Sequence, residues 1–413
     1  MYQTYSNRIL MKITSFICLV SCICLFACQD SPKESIAIYD IGLAESKKIV
    51  LPVDENTYYL SKSIFQFEED DKEYLLFGNL EKRQHELLIY DIEKQNLHKR
   101  IPLEKEGPNG VPGIWGCIPF FDSKTFLVSQ HNSGRMSIID GEGIVVQKYS
   151  MRQFSDKTKR RGLWVDSRFG VSFFYTPSFI KDSIVYFSNG IFIQYKINQR
   201  LDREVWKTIP MFNSLNLKNG HIHTLPIKYP DIFEDDVKVP AGGGYEFTYD
   251  YNYKQERLVC SLTGYDSIMV TDDLKQVRWY NGKSRYLKSM RPKVYEADGF
   301  DWLREATENP AYHNIMYDKY RDVYYRIVEL PYELKQNESP FDTPKGREFS
   351  IIIFDKDLNI IGETKFPGNK YLYKMSFVGR DGLYISENNL ANPEFDEDKL
   401  VFACFALEDV KDK

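Results

Sequence analysis

Two histidines separated by one residue form the best candidate pair of metal ligands in the sequence. His221 and His223 would lie on one face of a β-strand, because side chains alternate between the two faces of a strand. Asp231 and the acidic residues 234–236 follow shortly afterwards and would add oxygen ligands. Two close ligands make no metal site without a third. The pair is therefore a weak candidate for a metal site. The alternative is that both histidines lie in a loop and are solvated. The sequence implies no cofactor.

A second group of residues lies where successive strand units begin, and it consists of Trp115, Tyr245, Glu246, His313 and Lys374. If the first strand of each unit lines a central channel, these side chains would form a ligand-binding site at one mouth of that channel. His313 would then act as a general base or contact the ligand. Aromatic groups beside polar ones suit a sugar or a peptide. The alternative is a structural histidine among aromatic residues that simply favour strands.

Recognisable catalytic motifs do not occur in the sequence. It contains no G-x-S-x-G elbow, H-E-x-x-H pair, phosphate-binding loop or C-x-x-C pair. Their absence does not exclude an enzyme, because the active site of a repeat protein is assembled from distant segments, so the catalytic residues stay unknown. We expect a binding or scaffold domain that recognises a peptide, a glycan or a protein partner. The alternative is a hydrolase or lyase that acts on a polysaccharide or a peptide.

Short apolar runs between turn signals indicate the elements that must position these residues. The runs at 87–90, 125–128, 183–187 and 351–354 are four or five residues long and rich in β-branched and aromatic types. Such runs suit strands rather than helices. Regular helical crossovers do not separate them, so antiparallel hairpins are the simplest topology. The sequence therefore predicts an all-β fold.

A pattern of strand, polar turn and returning strand recurs along the chain, which is typical of a β-propeller. We predict a single propeller of six blades over residues 37–413, with five or seven blades or a pair of β-sandwiches as alternatives. Strands at 36–39 and 48–51 would complete the last unit and close the ring. Residues 299–309 predict a short helical insertion that Pro310 ends. The units lie at about 58–110, 111–152, 172–212, 242–290, 312–370 and 374–410.

The N-terminus has the features of a secretory leader. Lys12 precedes an apolar run at 13–27 that is too short for a comfortable membrane span, and the run ends in the sequence LFAC. A cysteine after Leu-x-Ala resembles the bacterial lipobox. This resemblance implies cleavage before Cys28 and lipidation of its thiol, whereas the alternatives are an uncleaved anchor or a plain secretory signal. We expect a signal peptide at 1–27 and a lipidated tether at 28–36.

Two Gly- and Pro-containing turns resemble a feature of a known family. The segments EGPNG at 106–110 and PGNK at 367–370 look like the Gly-Pro-Gly exits of bacterial six-bladed propeller lipoproteins with TolB-like or NHL-like blades. The chain after the leader is similar to uncharacterised members of this group from anaerobic Gram-negative bacteria. The resemblance implies a lipid anchor in the outer membrane, on its periplasmic or surface-facing side, and it carries over no chemistry.

The net charge and the number of cysteines limit the possible partners, disulfides and metal sites of the chain. The formal net charge is −5 at pH 7, so the chain lacks the basic excess that neutralises nucleic-acid phosphates. We expect the membrane, through the lipid anchor, and a peptide, glycan or protein as partners, and no nucleic acid. After Cys28 only Cys117, Cys260 and Cys404 remain. They are too few and too widely spaced for a disulfide framework or a zinc site, so we expect buried free thiols.

Overall fold

The described part of the chain covers most of the region after the predicted tether. The computed structural model describes residues 37–61, 63–80, 85–120, 122–130, 135–150, 158–160, 163–170, 177–193, 208, 210–230, 247–288, 290, 304, 307–335, 338 and 347–410. The predicted signal peptide, Cys28 and the tether lie outside the described residues.

The strands of three sheets follow each other in sequence, as the hairpin pattern predicts, and each sheet is antiparallel. The first sheet contains β2 (Ile64–Glu69), β3 (Lys72–Asn79), β4 (His85–Asp91) and β5 (Asn96–Leu103). The second contains β6 (Ile114–Pro119), β7 (Thr125–Gln130), β8 (Arg135–Asp140) and β9 (Val145–Ser150). The third contains β16 (Phe247–Asn252), β17 (Arg257–Leu262), β18 (Ser267–Thr271) and β19 (Arg278–Asn281).

Two larger sheets complete the fold. A six-stranded sheet contains β10 (Thr158–Arg160), β11 (Leu163–Gly170), β12 (Phe179–Lys181), β13 (Ile184–Ile193), β14 (Phe212–Asn216) and β15 (Ile222–Thr224). An eight-stranded sheet has the spatial order β20 (Ala311–Asp318), β21 (Val323–Glu329), β22 (Phe349–Phe354), β23 (Ile360–Phe366), β1 (Ile41–Pro52), β26 (Lys399–Asp409), β25 (Gly382–Ser386) and β24 (Leu372–Gly379).

The eight-stranded sheet corrects the predicted blade count. Strand β1 pairs with β26 along its whole length, and it also pairs in parallel with β23 through Ile41 and Gly362. This second pairing joins the last two predicted units into one sheet, so the described strands form five sheets and the prediction of six blades is wrong. Residues 48–51 pair with β26, as predicted, whereas the predicted strand at 36–39 is wrong for its described residues 37–39, which belong to no strand.

The predicted helical insertion at 299–309 lies mostly outside the described residues. Of the described positions in this range, Arg304, Thr307 and Glu308 have helical backbone. In the described part of the chain, no helix has the length and apolar character needed to cross a membrane.

Hydrophobic side chains fill the spaces between neighbouring sheets, which gives the fold a propeller-like arrangement. Leu76 and Leu87 of the first sheet pack in one cluster with Phe126 and Val128 of the second. A sheet covered on both faces buries all of its side chains, as the fully buried run of β22 illustrates. Burial of such side chains supplies the main driving force for folding. Cys117, Cys260 and Cys404 are buried and free, as predicted.

One buried arginine ties the third sheet to the eight-stranded sheet. Arg326 of β21 is fully buried, and its Nη1 donates to the carbonyl oxygens of Asp266 and Gly282 at 2.7 and 2.9 Å. Its guanidinium also lies 3.6 Å from the centroid of the Tyr312 ring. A buried charge is tolerated when its donors are satisfied in this way. The contact fixes how β20 and β21 lie against the neighbouring sheet.

The first strands of the hairpin series lie side by side. Strand β20 lies against β16 and β24, β24 also lies against β2, and β2 lies against β6. We call β2, β6, β16, β20 and β24 the inner strands. Residues at corresponding ends of these strands are therefore brought near each other although they are far apart in sequence.

Candidate functional site

Three inner strands carry a β-bulge near their N-terminal ends. The pairing register shifts between Ile114 and Gly116 in β6, between Tyr312 and Ile315 in β20, and between Leu372 and Ser376 in β24. A bulge leaves residues unpaired and redirects their side chains, which is why bulges are frequent next to active sites. The backbone of Trp115, and residues His313 and Lys374, occupy these three irregularities. We call this end of the inner strands the bulged end.

Two of the predicted site residues converge on an acidic residue that the sequence analysis did not select. Glu329 is the last residue of β21 and pairs with Ala311 of β20. Its Oε2 atom lies 3.0 Å from His313 Nε2 and 3.1 Å from Arg347 Nη1. Its Oε1 atom lies 3.9 Å from Lys374 Nζ. We call these four residues the Glu329 cluster.

The cluster holds Glu329 in its ionised form. Burial alone would raise the pKa of this carboxyl, but Arg347, His313 and Lys374 outweigh burial and hold the pKa well below its ordinary value. Glu329 therefore keeps its negative charge near neutral pH. Arg347 and Lys374 carry two positive charges against this one, so the cluster has an excess of positive charge before His313 is counted.

Neighbouring elements fix the geometry of the cluster. Arg347 is buried, and its Nε donates to the backbone oxygen of Leu330 at 2.8 Å. Thr248 of β16 donates its hydroxyl to the backbone oxygen of His313 at 2.9 Å and accepts from the backbone N–H of Ile315 at 3.2 Å. The hydroxyl therefore holds both sides of the bulge in β20. The cluster is preorganised by these bonds, which lowers the cost of binding a ligand.

Exposure differs between the cationic groups of the cluster. The side chain of Arg347 is 6% exposed, whereas that of Lys374 is 36% exposed. Lys374 Nζ lies beyond hydrogen-bond distance of Glu329 and 6.0 Å from the centroid of the Tyr373 ring. Lys374 is therefore the member of the cluster that a molecule in solution reaches most easily.

Among the residues that the structure describes, no other predicted site residue belongs to the Glu329 cluster. Tyr245 and Glu246 lie outside the described residues, and so does Cys28. His221 and His223 are both exposed and flank the buried Ile222, so they share one face as predicted. Within the described ranges, no three His, Cys, Asp or Glu side chains are close enough to hold a metal ion. The acidic residues at 231–236 lie outside those ranges.

The sequence analysis also missed a second acidic residue, which lies on the inner strand β16. Asp250 of β16 accepts hydrogen bonds from the backbone N–H groups of Tyr317 at 2.7 Å and Tyr251 at 2.8 Å. Burial raises the pKa of Asp250 to about 6, because its effect exceeds that of the two hydrogen bonds. The sequence feature that could have identified Asp250 is a single acidic residue inside the aromatic strand FTYDYN. Glu329 has a similar feature, because it is the acidic residue that ends the buried run VYYRIVE.

The opposite end of the inner strands carries a different set of charges. The turns of three hairpins meet there, and Tyr320 Oη donates to Glu68 and accepts from Gln66 Nε2. Glu73 accepts from the backbone N–H of Arg380 at 2.9 Å and from Gln66 at 2.9 Å. We call these five residues the turn-end network. Each acidic group in it is in direct contact with a donor, so the network ties the three turns together.

The fold and the Glu329 cluster define an all-β protein with propeller-like sheets and a charged cluster at one end of its inner strands. The chain belongs to the family described as Domain of unknown function (DUF4221), whose match spans residues 40–365.

Solved structures agree with this assignment. The crystal structure of a DUF4221 family member from Bacteroides vulgatus ATCC 8482 has 51% sequence identity and a TM-score of 0.80, and the match covers 90% of this chain and 99% of that one. A "Putative exported protein" from Bacteroides fragilis NCTC 9343 has 9% identity and a TM-score of 0.51, with 92% and 98% covered. The second likeness concerns the fold alone. A search of curated proteins gives no match.

Proposed function

We propose that this chain is an envelope-anchored binding protein whose Glu329 cluster recognises an acidic group on a peptide, glycan or protein partner. The observation that carries the proposal is the arrangement of one buried carboxylate beside His313 and two cationic side chains, one of which reaches solvent. An incoming anion would meet Lys374 first, while Glu329 and Arg347 keep the surrounding side chains in place. Charge-assisted hydrogen bonds to such an anion are stronger than bonds between neutral groups.

Binding suits this cluster better than the alternative of a hydrolase or lyase. A general acid or base must change its protonation state near the working pH. Glu329 does not meet this condition, because the cations keep its pKa well below its ordinary value. Asp250 has a pKa closer to neutrality, but its carboxylate oxygens accept two backbone hydrogen bonds. These bonds fit a role in joining β16 to β20.

We further propose export through the leader at 1–27 and lipidation at Cys28, with residues 28–36 as the tether to the outer membrane. The lipobox-like sequence supports this proposal, and the name of the B. fragilis protein is consistent with export. Replacement of Cys28 by Ala should move the protein out of the membrane fraction or block its maturation. Unchanged fractionation and unchanged mobility on a gel would contradict lipid anchoring.

The binding proposal is tested with the mature protein on arrays of acidic and neutral glycans and peptides. We expect binding to acidic probes, and we expect Lys374→Met to weaken it about tenfold, which corresponds to the loss of one charge-assisted contact. The matched control is Lys365→Met, because Lys365 of β23 forms an exposed ion pair with Glu348. Equal binding by both variants, or preference for neutral probes, would overturn the assignment of the Glu329 cluster.

A further inference from the structure

A cavity of about 200 Å³ lies between β1 and the segment that connects β25 to β26. Lys48, Glu387, Glu394, Phe395 and Asp396 contribute to its walls. The connecting segment begins directly after Ser386, which pairs with Leu372 at the bulged end of β24. The cavity therefore opens on the same end of this hairpin as Lys374, but it shares no residue with the Glu329 cluster.

Asparagine side chains hold the connecting segment in a fixed shape. Asn388 donates to the backbone oxygen of Lys399 at 2.6 Å and accepts from the backbone N–H of Val401 at 2.9 Å. Asn392 donates to the backbone oxygen of Glu387 at 3.0 Å and accepts from the backbone N–H of Glu394 at 3.1 Å. The walls are thus formed before a ligand arrives, and a preformed site avoids the cost of ordering a loop on binding.

Charges deep in the cavity wall are balanced within the protein. Lys48 and Lys370 each contact both Glu45 and Glu387, which closes a ring of alternating charges. Glu387 is buried, and Lys48 Nζ donates to its Oε2 at 2.8 Å. This ring supplies polar atoms to the cavity without adding net charge to it.

The outer wall carries acidic groups that disfavour an anionic ligand. Asp396 pairs with Lys399 at 2.5 Å, and the hydrogen bond from Lys399 is the main cause that lowers the pKa of Asp396. Glu394 adds a second, exposed carboxyl. The carboxylates of Glu394 and Asp396 would repel an anion in the cavity, because like charges repel at short range. The Glu329 cluster has an excess of positive charge, so the two sites prefer ligands of different charge.

An aromatic ring supplies the apolar part of the wall. The ring of Phe395 is partly buried and packs edge-on against Tyr59, with 4.9 Å between ring centroids. Sites that combine an apolar ring face with a few fixed polar groups recognise ligands that have both apolar faces and hydroxyl groups.

We propose that this cavity binds a single uncharged sugar ring. The hydroxyls of a sugar both donate and accept, so they match the carboxylates of Glu394 and Asp396 and the ammonium of Lys48, while the C–H face of the ring contacts Phe395. The volume lies below the range of about 300–1,000 Å³ that is typical of larger ligand pockets. It therefore admits one ring of a glycan and leaves the remainder outside. The proposal goes beyond the recognition of an acidic group and does not depend on it.

Titration of the mature protein with neutral hexoses and N-acetylhexosamines, followed by calorimetry and ligand-observed NMR, tests the proposal. We expect weak saturable binding of at least one neutral sugar. We expect no comparable binding of glucuronate, its anionic counterpart, in the Lys374→Met variant, in which the Glu329 cluster is altered. Glu394→Gln and Phe395→Ala should each weaken binding about tenfold or more. Melting curves identify any Phe395→Ala sample that has lost its fold, and the exposed Glu394→Gln variant keeps the test decisive in that case.

Two controls separate this site from the Glu329 cluster. Glu397→Gln removes an exposed acidic residue of the same segment that does not line the cavity, and Lys374→Met alters the cluster; neither should change sugar binding. Absence of binding by every neutral sugar, equal sugar binding by Glu394→Gln and the unaltered protein, or glucuronate binding to Lys374→Met that is stronger than its binding of neutral sugars would overturn the proposal. If Lys374→Met loses binding of acidic probes but keeps binding of sugar, the two sites are separate and the result supports both assignments.

Discussion

The two ends of the inner strands gather similar numbers of charged groups but arrange them differently. At the turn end, Glu68 and Glu73 contact donors from three hairpin turns directly. At the bulged end, one buried carboxylate faces two cations and His313, and the more exposed cation stays beyond hydrogen-bond distance. The first arrangement satisfies its own charges. The second leaves a positive group available, which is the property that a binding site needs.

Glu73 and Glu329, the buried carboxyls at the two ends, have pKa values that are shifted in opposite directions. Burial raises the pKa of Glu73 at the turn end, because the hydrogen bonds from Arg380 and Gln66 do not fully offset it. At the bulged end, cations reverse the effect of burial on Glu329. Surrounding positive charge, rather than burial, therefore decides the protonation of the carboxylate at the end that we assign to binding.

The largest expected effect is that of Glu329→Gln. The substitution leaves Arg347 buried without its counter-charge, and removal of one partner from a buried ion pair costs about 3–5 kcal/mol. Urea denaturation measures the loss in the free energy of unfolding. Glu348→Gln is the matched control, because the ion pair of Glu348 with Lys365 is exposed and should contribute less than about 1 kcal/mol. Similar losses in both variants would contradict the distinction between the two carboxylates.

A pH-dependent effect follows from Asp250, which lies on an inner strand between β17 and β20. Its pKa is raised from 3.8 to about 6, so the folded state binds a proton more tightly than the unfolded state. The stability that this carboxyl contributes is fully present below pH 3.8 and is lost as the pH rises through 6. The total change is on the order of 3 kcal/mol.

Comparison of the unaltered protein with Asp250→Asn measures this change. In the unaltered protein, ionisation of Asp250 should lower the free energy of unfolding between pH 4 and pH 7. Asp250→Asn should not show this part of the decline. Asp357→Asn, in an exposed turn, provides the control. Parallel pH profiles for the unaltered protein and Asp250→Asn would show that Asp250 ionises normally in the fold.

At the turn end, Tyr320→Phe removes the hydroxyl that bonds to Glu68 and Gln66. Hydrogen bonds to charged groups contribute about 1.5–3 kcal/mol, so we expect a loss of stability in that range. Tyr332→Phe removes a similar bond to Glu338 that lies within one segment, and it should cost less because it joins no separate hairpins. Thermal unfolding compares the two. An equal cost would mean that the turn-end network does not hold the hairpins together.

The smallest effect on stability should come from Lys374→Met. The ammonium is 3.9 Å from Glu329 and 36% exposed, so its contribution to stability should stay below about 1 kcal/mol. Met keeps the apolar stem in place. A small change in the unfolding free energy together with reduced binding of acidic probes would separate the two ends by function. A large loss of stability would indicate that Lys374 serves the fold.

Local pattern predicted the strands well, because each depends on a short run of residues. The run at 351–354 lies in β22 and the run at 87–90 lies in β4. The blade count failed because it depends on a single pairing between Ile41 and Gly362, which lie at distant positions of the chain. Side-chain alternation along a strand carries no signal for such a pairing.

The candidate site was predicted in part for a similar reason. His313 and Lys374 were selected because they open strand units, and the structure places both at bulges near one another. Glu329 and Arg347 were missed, because each sits at the edge of an apolar run where a charged residue usually faces solvent. Only the pairing of β21 with β22, which sets Glu329 opposite Phe349, reveals that Arg347 lies beside this carboxyl.

The pairing of β1 with β26 has a consequence for how the protein is made. Strand β1, the first described strand, gains its antiparallel partner only when β26, the last described strand, has been synthesised, so the eight-stranded sheet stays unfinished until then. Contacts between such distant segments form slowly. A chain that is secreted before this closure would cross the membrane without its final fold. Loss of β26 would then leave one edge of β1 unprotected, and other chains could join it there.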